Sequence, residues 1–386
     1  MQPFESNRTL KIWAGILIGL IAVGLLFYYN LKQDRFVEVT DATGTHCWID
    51  HNQNGKVDLQ NRKEFLPCAK GQYRQEKLSD VIMAINWTKQ SVFFLITALV
   101  FMALRDLFYM LRIRLLTDGT LSWKSSFFTI MLWEFASALS PGVMSGAAVA
   151  MFILHREKVP LGKSTAMVMV TAMLDNFFFT LMIPLVFLLY GPIALFPSNS
   201  KLESVFWIGY GLFLTVFLFF FSAVFIFPNL VPAALRSISR LPYIRNWEAK
   251  AKQTASDIRI ASIEMRSFNV LLWIKLLGTT FGSWVSRFLV INCLLAAFIK
   301  LGYLEHLLIL SKQFILWLFM RMSPTPGGSG VAEYVFGELM GPLGGSIVLM
   351  LGLAFIWRAF SYYSYLIIGS IILPRWLKKD GDQRTN

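Results

Sequence analysis

Seven charged residues lie within or beside long apolar segments of this chain, where an unpaired charge costs about 3 kcal/mol. They are Arg105, Glu134, Asp175, Arg287, Arg321, Glu333 and Arg358. A guanidinium binds phosphate through two hydrogen bonds, and a carboxylate can orient an arginine, bind an amine or exchange a proton. These residues therefore predict a substrate site for an anionic group, with Arg321 and Arg358 as the strongest candidates. The alternative is a network of structural ion pairs, or charged side chains that reach the helix ends.

Proline and glycine interrupt two apolar blocks, at residues 140–142 (Ser-Pro-Gly) and 323–328 (Ser-Pro-Thr-Pro-Gly-Gly). Lipid cannot satisfy the backbone groups that such a break frees, so breaks at membrane depth usually line a site. The helix that follows a break directs unpaired amides towards it, which suits a phosphate. We therefore expect the site to include Pro141, Gly142, Pro326, Gly327, Gly328 and Gly330. The alternative is that these glycines allow close helix packing.

A hydrophilic segment contains an incomplete calcium-binding loop. Its oxygen ligands stand at alternate positions, in Asp50, Asn52, Asn54 and Asp58, but position twelve is an asparagine instead of the usual glutamate. The segment predicts either a weak calcium site or a solvated turn. Cys47 and Cys68 flank it and predict a disulfide, whereas Cys293 lies alone in an apolar segment.

The composition places these residues in a membrane protein. The chain has 386 residues, of which 55% are hydrophobic and only 15% charged, and its net charge is +13. In such a protein, basic residues mark cytoplasmic loops and contacts with anionic lipids, so we expect no nucleic acid partner. No catalytic motif, nucleotide loop or histidine spacing for a metal is present. We expect no enzyme activity and no cofactor other than possible calcium.

The apolar segments predict an all-α polytopic fold. Six segments have the length of a membrane span: Ile12–Tyr29, Thr88–Met110, Thr165–Tyr190, Val205–Leu230, Val270–Phe298 and Ile347–Leu373. The two blocks that contain the breaks are Phe127–Leu154 and Leu304–Pro342. We predict that each block is a re-entrant helical hairpin, and that the two enter from opposite faces.

Basic residues predict the orientation. The segment Arg236–Arg266, the C-terminal tail and the turn with Arg112 and Arg114 are rich in Lys and Arg, so we place them in the cytoplasm together with both termini. We divide the chain into an anchor (1–30), an extracytoplasmic loop (31–80), a membrane domain (81–375) and a tail (376–386).

The order of spans and hairpins predicts an inverted repeat. Thr88–Met110, the first hairpin and Thr165–Tyr190 correspond to Val270–Phe298, the second hairpin and Ile347–Leu373 in opposite orientation. Charged residues fall at similar distances from the two breaks, with Arg105 and Arg287 before them and Asp175 and Arg358 after them.

Between Lys89 and Leu373 the chain resembles the flippase-like transmembrane domain of the lysylphosphatidylglycerol synthase family. The resemblance rests on both breaks, on Asp175 and Arg358, and above all on the string Pro-Gly-Gly-x-Gly-Val-x-Glu at residues 326–333. It implies a domain of the bacterial inner membrane that moves phospholipids or other lipid-linked groups between leaflets. No aminoacyl-transfer domain follows, so we expect no synthase activity. Family members often have an arginine shortly before the aspartate where this chain has residues 171–173 (Thr-Ala-Met), so we expect another partner for Asp175.

These observations predict a translocator for lipids with anionic headgroups. One alternative is an accessory membrane subunit that docks a separate enzyme of lipid or glycan modification. Another is a transporter of small solutes that uses the same site.

Overall fold

The computed structural model describes residues 35–38, 44–51, 57, 62–76, 87–139, 145–197, 202–227, 256, 259–260, 262–344 and 347–378. Several features predicted from the sequence lie outside these residues. They are the first span Ile12–Tyr29, most of the basic segment Arg236–Arg266, the first break with Pro141 and Gly142, and the calcium candidates Asn52, Asn54 and Asp58.

The segment before the membrane domain forms a small antiparallel sheet, which the sequence analysis did not predict. Its strands are β1 (Arg35–Glu38), β2 (Gly44–Trp48), β3 (Phe65–Gly71) and β4 (Tyr73–Glu76), in the order β1-β4-β2-β3. Such short strands give too little alternation of apolar and polar residues to be recognised. Phe36, Phe65 and Tyr73 form their core, and a disulfide joins Cys47 to Cys68, the pair that the sequence predicts.

Ten α-helices follow in the described part of the chain. They are α1 (Lys89–Leu116), α2 (Trp123–Leu139), α3 (Ser145–Arg156), α4 (Leu161–Leu195), α5 (Leu202–Phe221), α6 (Val270–Ala296), α7 (Tyr303–Met322), α8 (Val331–Met340), α9 (Ile347–Arg358) and α10 (Ser364–Lys378). Six helical segments are long and apolar enough to cross a membrane. The all-α polytopic fold is therefore confirmed.

Five of the six segments overlap spans predicted from the sequence. The sixth is α7, which the sequence analysis assigned to the first arm of the second hairpin. With 20 residues, α7 is about 30 Å long and matches the hydrocarbon thickness of a bilayer. The second block thus pairs a helix of membrane length with the shorter α8 of 10 residues.

The chain folds back on itself at both breaks. Helix α2 packs against α3 across the first break, and α7 packs against α8 across the second. The most extensive packing between helices joins α1 to α6, which are the predicted counterparts in the two repeats. The re-entrant depth of the hairpins and the inverted repeat stay predictions.

Helix α1 is longer than the sequence analysis predicted, and this corrects the position of Arg112. The prediction ended the span at Met110 and placed Arg112 and Arg114 in a cytoplasmic turn. The helix instead continues to Leu116, because Ile113 and Leu116 are buried in the core and the buried side chain of Arg112 binds Asp175. The turn lies after Leu116, and only Arg114 reaches it, donating a hydrogen bond to the carbonyl of Leu121.

Candidate functional site

A cavity of about 320 Å³ lies among the helices of the membrane domain. Helices α1, α2 and α4 contribute to its wall, and so do α6, α7 and the segment around the end of α9. Its charged wall residues are four arginines and two carboxylates: Arg112, Arg287, Arg321, Arg358, Glu134 and Asp175. Both predicted repeats therefore border one polar space inside an apolar helical domain.

Residues next to both breaks line this cavity. Ser137, Ala138 and Gly146 flank the first break, and the second contributes Ser323, Thr325, Gly327 and Gly328. Residues that flank the first break and residues of the second, which lie far apart in sequence, thus line one space. Of the glycines and prolines predicted for the site in the second break, Gly327 and Gly328 are in the wall, whereas Pro326 and Gly330 are not among its lining residues.

Arg112 is the partner of Asp175. Its Nη1 donates to Asp175 Oδ1 at 2.6 Å and to Thr280 Oγ1 at 3.1 Å, and Trp284 Nε1 donates to the same carboxylate oxygen at 3.0 Å. Asp175 is therefore already bound by two donors of the protein. The sequence analysis missed Arg112, although its spacing of seven residues from Arg105 places both on one face of a helix.

Arg105 lies behind the cavity wall and not in it. The side chain is fully buried, and its guanidinium donates to Asp106 Oδ1 at 2.9 Å and to Glu134 Oε1 at 2.5 Å. Tyr365 adds a hydrogen bond from its hydroxyl to Asp106 Oδ1 at 2.8 Å. Since two carboxylates neutralise Arg105, its role here is to hold Glu134 at the wall.

Glu333 forms the corresponding structural pair with Arg358. Its Oε1 lies 3.1 Å from Arg358 Nε, and its Oε2 accepts a hydrogen bond of 2.7 Å from the backbone amide of Gly330. Arg358 also donates to Ser329 Oγ at 3.1 Å. The carboxylate of Glu333 therefore caps the start of α8, so a free amide of Gly330 is not offered to a ligand. Glu333 itself is not a wall residue.

Arg287 and Arg321 differ from the other arginines of the site. Among the residues that the structure describes, neither guanidinium has a hydrogen bond or a carboxylate partner. The Cζ of Arg287 lies 5.4 Å from the ring centre of Trp284, and that of Arg321 lies 5.0 Å from Trp317 and 5.4 Å from Phe213. Aromatic faces thus support both cations and leave their donors free for a ligand.

The described residues include no group of three His, Cys, Asp or Glu side chains that would hold a metal ion. Asp50 is the one candidate ligand of the calcium loop that the structure describes, and it lies after β2. The calcium site accordingly stays a prediction.

Comparison with known proteins identifies the family. Residues 73–369 match the model of the lysylphosphatidylglycerol synthase TM region, which shows that the chain belongs to this family. A UPF0104 membrane protein of Archaeoglobus fulgidus is 26% identical over 316 residues, which cover 78% of this chain and 90% of that protein. No solved structure matches the chain significantly.

Proposed function

We propose that this member of the lysylphosphatidylglycerol synthase TM family translocates phospholipids, or other lipids with an anionic headgroup, between the leaflets of a membrane. The observation that carries the proposal is the pair Arg287 and Arg321. In the described part of the chain they are cavity arginines without an acidic partner, whereas Arg112 and Arg358 are each paired with a carboxylate. A phosphate would supply the missing counter-charge and accept hydrogen bonds from both.

The surroundings of the two arginines support a lipid substrate. The cavity lies in a domain of apolar helices, so a headgroup inside it can be shielded while the acyl chains stay in the bilayer. Wall residues come from both predicted repeats, which fits transport by rocking of one repeat against the other around a shared site. Asp175 and Glu134 are bound directly by Arg112 and Arg105. Neither forms an ion pair with Arg287 or Arg321 in the described part of the chain, although Asp175 lies near enough to Arg321 to interact with it electrostatically.

The membrane location, the orientation and the partner of the protein are part of the same proposal. We place the chain in the cytoplasmic (inner) membrane of a bacterium with both termini in the cytoplasm, because basic residues are concentrated in the predicted cytoplasmic segments. The family description names the transmembrane region only, and we propose that this chain acts without enzyme activity of its own. We propose that a separate enzyme, which makes or uses the lipid, binds the basic segment Arg236–Arg266.

Reconstitution into liposomes tests the proposal. Fluorescent phosphatidylglycerol and phosphatidylethanolamine are followed by quenching of the outer leaflet. We expect transbilayer movement above that of empty vesicles. Replacing both Arg287 and Arg321 by glutamine is expected to lower the rate at least about tenfold, because a charge-assisted hydrogen bond contributes roughly 1.5–3 kcal/mol.

Arg114→Gln is the matched control. Arg114 also stacks on a tryptophan, with its Cζ 4.6 Å from the ring centre of Trp123, but it is not a wall residue of the cavity. This variant should keep the wild-type rate. If no tested lipid moves faster than in empty vesicles, lipid translocation is rejected, and uptake of soluble phosphate in the same vesicles would favour the small-solute transporter.

A further inference from the structure

Tyr362 contacts the second break and the end of the helix that precedes the first break. Its hydroxyl donates a hydrogen bond of 3.1 Å to the carbonyl of Ala138, the penultimate residue of α2 before the first break. Its ring packs against the second break so closely that a Cβ added to Gly327 would lie 2.1 Å from Tyr362 Cε2. One buried side chain thus lies between two hairpins that are separated by some 190 residues of sequence.

The same ring also positions a cavity arginine. The Cζ of Arg358 lies 4.1 Å from the centre of the Tyr362 ring, and Arg358 in turn binds Ser329 and Glu333 of the second hairpin. Tyr362 belongs to a π-helical turn, Ala359–Tyr363, between α9 and α10. Such turns occur often at functional sites, because they rotate side chains out of the regular helical register.

We infer that Tyr362 is a positioning residue that couples the two hairpins and fixes Arg358 between them. A shift of the first hairpin pulls on the hydroxyl through Ala138, and a shift of the second displaces the ring through Gly327. Neither hairpin can move far without breaking a contact of Tyr362 or carrying Arg358 with it. For its consequence in transport, the inference rests on the proposed function; the coupling itself does not.

Spin labels measure the coupling directly. Val149 on α3 and Tyr334 on α8 are exposed and serve as cysteine sites, one on each hairpin, in a Cys293→Ala background. We expect a narrow distance distribution in the parent protein and a clearly broader or displaced one in Tyr362→Phe. The neighbour Tyr363 provides the matched control, because its hydroxyl is buried and has no hydrogen-bond partner among the described residues. Tyr363→Phe should keep the parental distribution.

An unchanged distribution in Tyr362→Phe would overturn the inference, since this variant keeps the ring and removes only the hydroxyl, with its hydrogen bonds to Ala138 and Ser329. A broadening of equal size in Tyr363→Phe would also overturn it, because the effect would then be general loosening of the turn.

Transport assays give a second test, because a positioning role should lower the translocation rate more than the affinity for a ligand, whereas a purely structural role should lower both. We expect Tyr362→Phe to lower the translocation rate about fivefold, the equivalent of one hydrogen bond of about 1 kcal/mol. Binding of glycerol phosphate should change less than twofold, because Arg287 and Arg321 remain. Equal losses of rate and affinity would contradict a positioning role. If the parent protein moves no lipid at all, the proposed function fails while the spin labels still decide the coupling.

Discussion

The arginines of this protein have different roles according to the carboxylates within their reach. Arg105 is held by Asp106 and Glu134 and lies behind the wall, whereas Arg321 faces the cavity, stacks on aromatic rings and forms no ion pair among the described residues. The sequence identifies such residues as intramembrane charges, because a charge in an apolar segment is conspicuous. It does not show the pairing, since partners such as Arg112 and Asp175 lie 63 residues apart in the chain.

Removing Arg105 is expected to destabilise the protein strongly. Arg105→Gln leaves Glu134 and Asp106 without their cation in a buried site, at a cost of about 3–5 kcal/mol. We expect a large fall in the melting temperature in detergent. The control is Lys163→Gln, which breaks the more exposed ion pair with Asp118 and should cost at most about 1 kcal/mol. Equal melting temperatures of the two variants would contradict the buried network.

Gly327 is expected to tolerate no side chain. It has a φ of +58°, and a Cβ would collide with the ring of Tyr362. We expect Gly327→Ala to lower the melting temperature, with a cost of about 1–3 kcal/mol from the backbone alone. Gly352 in α9 has open space around it, so Gly352→Ala should be neutral or stabilising by up to about 1 kcal/mol. A neutral Gly327→Ala would show that the second break has another conformation.

At the level of elements, the sequence indicated the helices and the second break well. Helix α7 ends at Met322 and α8 begins at Val331, on either side of the predicted break. The break separates them because proline and glycine disfavour the continuation of a helix. It did not indicate the π-helical turn at residues 359–363, which lies inside an uninterrupted apolar run. Nor did it indicate that α7 has the full length of a span, since the sequence analysis assigned this helix to one arm of a re-entrant hairpin.

The packing of α1 on α6 gives a test of the element arrangement. A Cβ on Gly282 would lie 2.7 Å from the ring of Phe108, whereas Gly278, one turn earlier on α6, has nothing within 4 Å. Close approach of membrane helices depends on such small residues. We therefore expect Gly282→Leu to lower the melting temperature and Gly278→Leu to leave it nearly unchanged. The reverse order would mean that another face of α6 meets α1.

At the level of the whole molecule, the composition and the lengths of the apolar segments were sufficient to predict a polytopic helical protein. Residues beside the first break and residues of the second line one cavity because of the tertiary packing of the helices. The sequence suggested this arrangement only through the predicted inverted repeat. The small antiparallel sheet was missed because its three core aromatics are scattered over nearly 40 residues. Its disulfide was predictable, since two cysteines flank one hydrophilic segment.

The orientation of the molecule can be tested with the cysteines. If the sheet lies outside the cytoplasm, a membrane-impermeant reductant added to spheroplasts should expose Cys47 and Cys68 to an impermeant maleimide. The disulfide closes a separation of 21 residues, whereas Cys293 is buried and should stay unlabelled. Cys47→Ser/Cys68→Ser is the control for specific labelling. Labelling only after lysis would invert the proposed topology.

Native mass spectrometry of the purified protein tests the central claim most directly: the cavity holds an anionic lipid headgroup through Arg287 and Arg321. We predict that the wild-type protein and Arg114→Gln retain an anionic lipid, and that the double variant Arg287→Gln/Arg321→Gln loses it at the same collision energy. Equal retention in all three proteins, or retention of neutral lipids alone, would contradict this account.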